Sequence, residues 1–174
     1  KTWRFQESTA FAWVPTLTSV SRQSIFAGEP PLYFPDSLAT TSKEKHHWLR
    51  VWEEQGVARA SIDLVTSIDD PHDPKLEGAL GNARLKVLGL VWNKVDDIMH
   101  GRKMQTAGMH SQVRLWAAQG HLQQLLMRLH AEGFVVYLTA DHGNVTAKGI
   151  GNPKEGVLVQ TKGQRVRIYE CNEF

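Results

Sequence analysis

Three short stretches of this chain carry residue types suited to chemistry. Thr16, Thr18, Ser19 and Ser21 crowd the start of an expected helix. Free backbone N–H groups and the helix dipole favour phosphate oxygens at such a place. A hydroxyl near its ordinary pKa is a poor nucleophile, so a catalytic threonine there needs a base or a metal ion to stabilise its alkoxide. Helix capping alone accounts for the same hydroxyls. Asp96 and His100 lie four residues apart just past an apolar stretch. A helical turn would set this carboxylate and imidazole side by side, an arrangement that holds divalent cations. A surface ion pair explains the spacing equally well, and the neighbouring Asp97 points elsewhere on such a helix. Asp141-His142-Gly143 follows directly on an apolar run, with Gly143 permitting a sharp exit. Both side chains could meet one ion; the competing reading is a polar turn whose histidine caps a neighbouring carbonyl.

Positioning these groups is the work of the elements between them. Phe11 to Val14, closed by Pro15, reads as the end of a buried strand feeding a turn. Thr18 or Ser19 then caps a helix over Val20 to Ala27, stopped by Gly28 and Pro30-Pro31. Thr41 with Glu44 forms a capping-box pattern ahead of Trp48, Val51 and Trp52, and Gly56 ends that second helix. Val57 to Val65 supplies a strand, Asp69 to Pro74 a solvated acidic loop, and Lys75 to Asn82 a short helix. Lys86 to Trp92 has the apolar density of a central strand. The spacing of Val113, Trp116, Leu122, Leu125, Leu126 and Leu129 predicts one long helix over Thr106 to Ala131, weakened at Gly120. Phe134 to Ala140 reads as a buried strand after Gly133. Val157 to Gln160 and Arg165 to Tyr169 read as a terminal hairpin around Thr161 to Gln164.

Strands alternating with helices predict an α/β fold, a mostly parallel sheet sandwiched by helices. Thr18, Asp96 and Asp141-His142 then share an address, because ligands of such sheets gather beyond the carboxyl ends of the strands. The two histidines His46-His47, adjacent on a helix, face apart and do not share an ion. Trp48 and Trp52, at helical spacing, read as core rather than as a base-stacking platform.

The 174 residues are enough for one ordinary domain with its own core, and 41% apolar with 22% charged residues excludes a disordered or fibrous chain. The longest apolar run, Phe134 to Leu138, is far too short to cross a bilayer, and no signal-peptide pattern opens the sequence. With a single cysteine, Cys171, no internal disulfide forms, and a cytoplasmic setting without a membrane is expected. A net charge of +2 names no anionic partner. The basic cast of Lys148, Lys154, Lys162, Arg165 and Arg167 reads first as a solvated hairpin face, and second as a phosphate or nucleic-acid contact.

Taken in order, Pro15-Thr16-Leu17-Thr18-Ser19-Val20-Ser21-Arg22, Asp96-Asp97-Ile98-Met99-His100 and Thr139-Ala140-Asp141-His142-Gly143-Asn144 resemble the PglZ family of the alkaline phosphatase superfamily. Gly149-Ile150-Gly151, Glu155-Gly156-Val157 and Arg165 to Tyr169 extend the likeness over nearly the whole chain. The resemblance implies an α/β sandwich with Thr18 as nucleophile. It assigns Asp96 and His100 to one metal ion and Asp141 with His142 to another, zinc being the usual occupant. Ser19 and Arg22 are implied as phosphate contacts. The reaction implied is phosphomonoester or phosphodiester hydrolysis through a phosphothreonine. The implied setting is bacterial phage defence of the BREX type, with other defence proteins as partners and a nucleotide or nucleic acid as candidate substrate. The superfamily also uses an aspartate before the nucleophile turn and a histidine well after the Asp-His-Gly motif. Here no Asp precedes Thr18 and no His follows His142. The chain is therefore expected to be part of a longer protein, with incomplete metal sites and weak turnover by itself. The alternative is an inactive scaffold or binding module that keeps the fold.

Overall fold

Helix punctuation by glycine, visible in the sequence, is where the local structure is most sharply determined. The computed structural model describes residues 4–33, 35–100, 106–144, 151, 161–162 and 167–168. Its residues divide into two units, one formed by Lys1–Lys43 with Ala140–Phe174 and the other by Glu44–Thr139.

The second unit begins with helix α2, Glu44–Glu54. Gly56, at φ 81°, closes it: Val57 N–H donates to Trp52 O and Gly56 N–H to Glu53 O, each at 2.9 Å. That doubled bond is the left-handed ending only glycine adopts without strain. The capping box places the helix start two residues too early, since Thr41 lies ahead of a bend and α2 begins at Glu44 itself. Strand β1, Ile62–Val65, follows, then α3, Pro74–Leu80, and β2, Val87–Leu90. β1 and β2 pair in parallel with Ile62 opposite Val87 and Val65 opposite Leu90, so α3 is the crossover that a parallel pair requires.

The acidic loop does more than face solvent. Asp73 is buried and caps α3, accepting from Lys75 N–H at 2.8 Å and from Asp69 N–H at 3.0 Å. These two amides hold its carboxyl below the usual carboxylate range. Pro74 at the first helical position completes the start. Arg128, from α6 (His121–Ala131), reaches back across this corner to grip the Glu77 carboxylate with both guanidinium nitrogens and Pro71 O with one. The guanidinium holds the Glu77 carboxyl low as well.

The expected long helix is two helices, α5 (Thr106–Ala118) and α6, because Gly120 takes the left-handed φ of 79° between them. Gln119 N–H and Gly120 N–H donate to Trp116 O and Ala117 O, which ends α5, and the periodicity resumes one turn later. α6 ends like α2: Gly133 at φ 88° lets Phe134 N–H donate to Leu129 O. The core of this unit is Val65, Ile68, Leu76, Ala79, Leu125 and Leu129, with Leu88, Leu90, Trp92, Phe134 and Val136 packed on it.

Two expected strands carry no ladder among the described residues. Phe134 to Thr139 runs without a ladder; Phe134 and Val136 pack on the core while Val135, Tyr137 and Leu138 are exposed. The alternation is that of extended backbone, but burial is one-sided, which a continuous apolar run cannot disclose. Phe11 to Val14 is likewise unladdered, with Phe11 and Val14 exposed. Its apolar character predicted burial, yet no described strand lies against it to accept its hydrogen bonds. Thr161–Lys162 (β3) pairs antiparallel with Arg167–Ile168 (β4), so Thr161 and Lys162, expected in the turn, belong to the ladder. A β-branched Thr161 suits a strand better than a turn. Val157 to Gln160 lie outside the described residues. Helices with a small two-stranded parallel sheet remain compatible with the expected α/β class. No helix among the described residues is long and apolar enough to cross a membrane.

Trp48 couples α2 to the sheet: its Nε1–H donates to Asp63 O at 2.9 Å, and Lys45 Nζ meets Asp63 Oδ1 at 2.8 Å. The indole lies over Gly89, where a Cβ would stand 2.6 Å from Leu64 Cδ1 and 3.2 Å from the Trp48 ring. Trp52 stacks edge-on against it, centroids 5.4 Å apart, so this pair is packing, half-buried rather than fully enclosed. Gly89→Ala is expected to lower stability by about 1–3 kcal/mol through overpacking, read as a reduced urea midpoint at unchanged slope.

Asp73 supplies a second test through pH. A carboxyl whose folded pKa is depressed contributes its full stability above the ordinary value, about 4, and loses it as pH falls through the depressed one. Melting temperature should therefore drop below about pH 4. Asp73→Asn, which keeps a capping oxygen but does not titrate, should flatten that drop.

Candidate functional site

Helix α1, Thr18–Ala27, opens the first unit's site. Pro15 starts a tight turn in which Leu17 N–H donates to Pro15 O at 2.8 Å, and Leu17, in extended backbone, stands at the N-cap. Its carbonyl accepts from Val20 and Ser21 N–H at 3.0 and 2.8 Å, which puts the Thr18 and Ser19 amides at the head of the helix. The expected cap at Thr18 or Ser19 is thus one or two residues late. Leucine has no side-chain acceptor, so the cap is made by backbone alone, and the Thr18 hydroxyl is not spent on it.

That hydroxyl meets His142 instead. Thr18 Oγ1 lies 3.2 Å from His142 Nε2, a contact between residues 124 apart in sequence. The other ring nitrogen, Nδ1, is 2.9 Å from Gly143 O. A carbonyl only accepts, so Nδ1 carries a proton, and in the neutral ring Nε2 is left to accept from the Thr18 hydroxyl. Asp141 braces the same turn: Oδ1 accepts from His142 N–H at 3.0 Å, and Oδ2 stands 3.7 Å from His142 Nε2. The His142 side chain is 10% exposed and that of Asp141 27%. The carbonyl-capping reading of the Asp-His-Gly turn holds, since the histidine meets Gly143 O with one nitrogen while the other faces the threonine. Gly143 serves through its carbonyl; its φ is not left-handed and a Cβ there would meet nothing within 4 Å.

A hydroxyl oxygen at 3.2 Å and a carboxylate oxygen at 3.7 Å therefore both neighbour one imidazole nitrogen. This mixed oxygen and nitrogen set suits a divalent ion such as zinc, and the Nδ1–H bond to a carbonyl is the brace that metal-binding histidines use. It is a small set, because no group of three or more His, Cys, Asp or Glu converges among the described residues.

Asp96 and His100 lie in the second unit, on α4, Lys94–His100, which starts just after β2 as expected. Asp97 N–H donates to Asn93 O at 2.9 Å to begin the helix, and Asp96 and Asp97 are exposed in its first turn. The side chain of His100 lies outside the described residues. Ser19 and Arg22 are half-buried on α1. Ser19 contributes its carbonyl, which accepts from Gln23 Nε2 at 2.7 Å. His46 is exposed and His47 buried, yet their rings do not face apart as expected but meet edge-on, centroids 5.6 Å apart.

Gln23 is what residue-by-residue reading passes over. Fully buried, it donates through Nε2 to Ser37 O at 2.7 Å and accepts at Oε1 from Ser37 Oγ at 2.9 Å. It thereby pins α1, and Thr18 with it, to the 3₁₀ turn Pro35–Ser37. A glutamine in a helix reads as surface, and nothing in the spacing marks this one as buried.

Comparison with known families accords with this geometry. The family described as the BREX system PglZ alkaline phosphatase-like domain matches residues 1–173, and the chain belongs to that family. No curated protein and no solved structure matches it.

Gln23→Ala removes both hydrogen bonds between Gln23 and Ser37 and should destabilise the protein by about 1–3 kcal/mol, measured by chemical unfolding. The Thr18–His142 contact should loosen with it, seen as a change in the His142 ring resonances by NMR.

Proposed function

We propose that this member of the PglZ family handles phosphate esters, with Thr18 as the nucleophile, in phage defence of the BREX type. The observation that carries the reading is the Thr18 hydroxyl donating to His142 Nε2 at 3.2 Å, at the head of a helix. Nucleophile, acceptor and orienting carbonyl stand in line there, as an activated hydroxyl requires.

Each group has a defined task in this reading. The Thr18 and Ser19 amides bind the non-bridging oxygens of a phosphoryl group, helped by the helix dipole, and Arg22, one turn on, adds positive charge. Thr18 Oγ1 attacks phosphorus in line with the leaving oxygen and loses its proton to water, since His142 Nε2 would be taken up by the cation. A phosphothreonine forms and the alcohol leaves; water then cleaves the ester at phosphorus and restores the hydroxyl. Asp141 and His142 are proposed as one pair of ligands for a divalent cation, and Asp96 and His100 as a second pair on the family resemblance. Such ions, zinc first among them, lower the pKa of a coordinated hydroxyl and neutralise charge on the leaving oxygen. Nucleotides or nucleic acid are the proposed substrates, and other defence proteins the proposed partners, in the cytoplasm.

Donor sets of two predict modest turnover for the chain by itself. Incubated with zinc or manganese, it should hydrolyse a nucleotide diester or a simple monoester slowly and in an EDTA-sensitive way. Thr18→Ala should reduce that rate by roughly a hundredfold or more. Hydrolysis that survives Thr18→Ala removes Thr18 from the nucleophile role; no hydrolysis of either ester with either metal favours the inactive scaffold.

A further inference from the structure

The ladder between β1 and β2 does not close regularly at its carboxyl end. Val91 N–H donates to Val65 O at 3.0 Å, and Val91 O accepts from Ile68 N–H at 3.2 Å. A regular parallel pair leaves one residue between those two partners, but here Thr66 and Ser67 both stand opposite Val91. The extra residue makes a β-bulge, and Ser67 bears it as the one non-glycine among the described residues in left-handed backbone, at φ 56°. Bulges re-aim side chains at the rims of sheets, and backbone of this kind gathers at functional sites. Ser67 is held from two sides. Lys75 Nζ donates to its carbonyl at 3.1 Å, and Asn93 Nδ2, from just past β2, donates to its Oγ at 3.3 Å. Ser67 is exposed and Asn93 half-buried, so the pair is open to a ligand beyond the carboxyl ends of both strands, three residues ahead of Asp96.

We propose that Ser67 and Asn93 form a subsite for the alcohol part of a phosphate ester, taking a sugar hydroxyl of a nucleotide. With Ser67 Oγ accepting from Asn93, the Ser67 O–H is left to donate and Asn93 Oδ1 to accept. A hydroxyl is the group that meets both through a single oxygen. Neither side chain carries charge, so the pair selects the neutral part of the ester and not its phosphate. This inference rests on the reading of the chain as a phosphate-ester hydrolase with Asp96 at its site.

The test compares two diesters, the p-nitrophenyl ester of a uridine monophosphate and bis(p-nitrophenyl) phosphate, which has no sugar, on the unaltered chain, Ser67→Ala and Ser67→Gly. Both variants should raise KM for the uridine ester about two- to tenfold at unchanged kcat, the range a single neutral hydrogen bond commands. The sugar-free ester should show no such rise. Ser67→Gly should also melt at a higher temperature than the unaltered chain, because glycine takes left-handed backbone freely. Weaker binding in a more stable variant separates the loss of the hydroxyl from any loss of fold. Equal losses on both esters, or none on either, make Ser67 a turn residue only and overturn the subsite. Should neither ester be hydrolysed, binding decides: uridine, and not its dideoxy analogue, should shift the Asn93 side-chain amide resonances by NMR. That shift without hydrolysis keeps the subsite and overturns the hydrolase reading, whereas equal shifts with both nucleosides, or with neither, overturn the subsite.

Discussion

One imidazole, held from one side by a backbone carbonyl and approached from the other by a hydroxyl, is the constraint on which the candidate site depends. Its orientation is set by the bond from His142 Nδ1 to Gly143 O, which decides that Nε2 faces Thr18 with its lone pair. Every chemical role open to the threonine follows from that choice. Proton transfer from Thr18 and coordination of a cation use the same nitrogen, so the tautomer governs both. Asp141 adds a second anchor by accepting from the His142 amide, which ties the turn down through main chain as well as side chain.

The supporting structure serves to bring two distant pieces of chain to that nitrogen. On one side is α1, whose start is defined by an extended leucine and whose buried face is fastened by Gln23 to Ser37. Burying a polar amide is tolerable because all its partners are protein groups in good geometry, and the same completeness makes it specific. On the other side is the Asp141–Gly143 turn, held by the bond from the His142 amide to Asp141 Oδ1 and by that from His142 Nδ1 to Gly143 O. A second layer of polar contacts, from Asp73 and from Arg128 to Glu77, holds the parallel pair and its crossover helix in register with α6.

Membership in a phosphatase-like family and the position of a hydroxyl at a helix head point the same way. A helix N-terminus offers amides to phosphate oxygens, and a hydroxyl on its first residue stands next to those amides. Had Thr18 been the cap, as its residue type invites, its oxygen would have been occupied by the helix itself. The backbone-only cap at Leu17 leaves the Thr18 hydroxyl outside the helix's own capping bonds, at the loss of a local stabilising interaction.

Much was legible in the sequence where local rules suffice. Gly28, Gly56 and Gly133 each end a helix, since left-handed backbone leaves few other residue types available. Helices α1 and α3 were readable from apolar spacing and turn chemistry, as was the family from three ordered motifs; α5 and α6 were read as one helix, and the strand read over Val57 to Val65 keeps only Ile62–Val65, a 3₁₀ turn taking Arg59–Ser61. The hydroxyl, the carboxylate and the imidazole could be named. Their sequence could not say that Thr18 and His142 touch, because contact between residues 124 apart is settled by packing and not by spacing. Nor could it say that Phe11 to Val14 and Phe134 to Thr139 lack ladders: hydrophobicity reports that a segment prefers burial, while a strand exists only where a neighbour presents complementary donors and acceptors. The burial of Gln23 and of Asp73, two polar side chains turned inward to satisfy backbone groups, was likewise decided by tertiary structure alone. What they bind is assembled only when the chain folds.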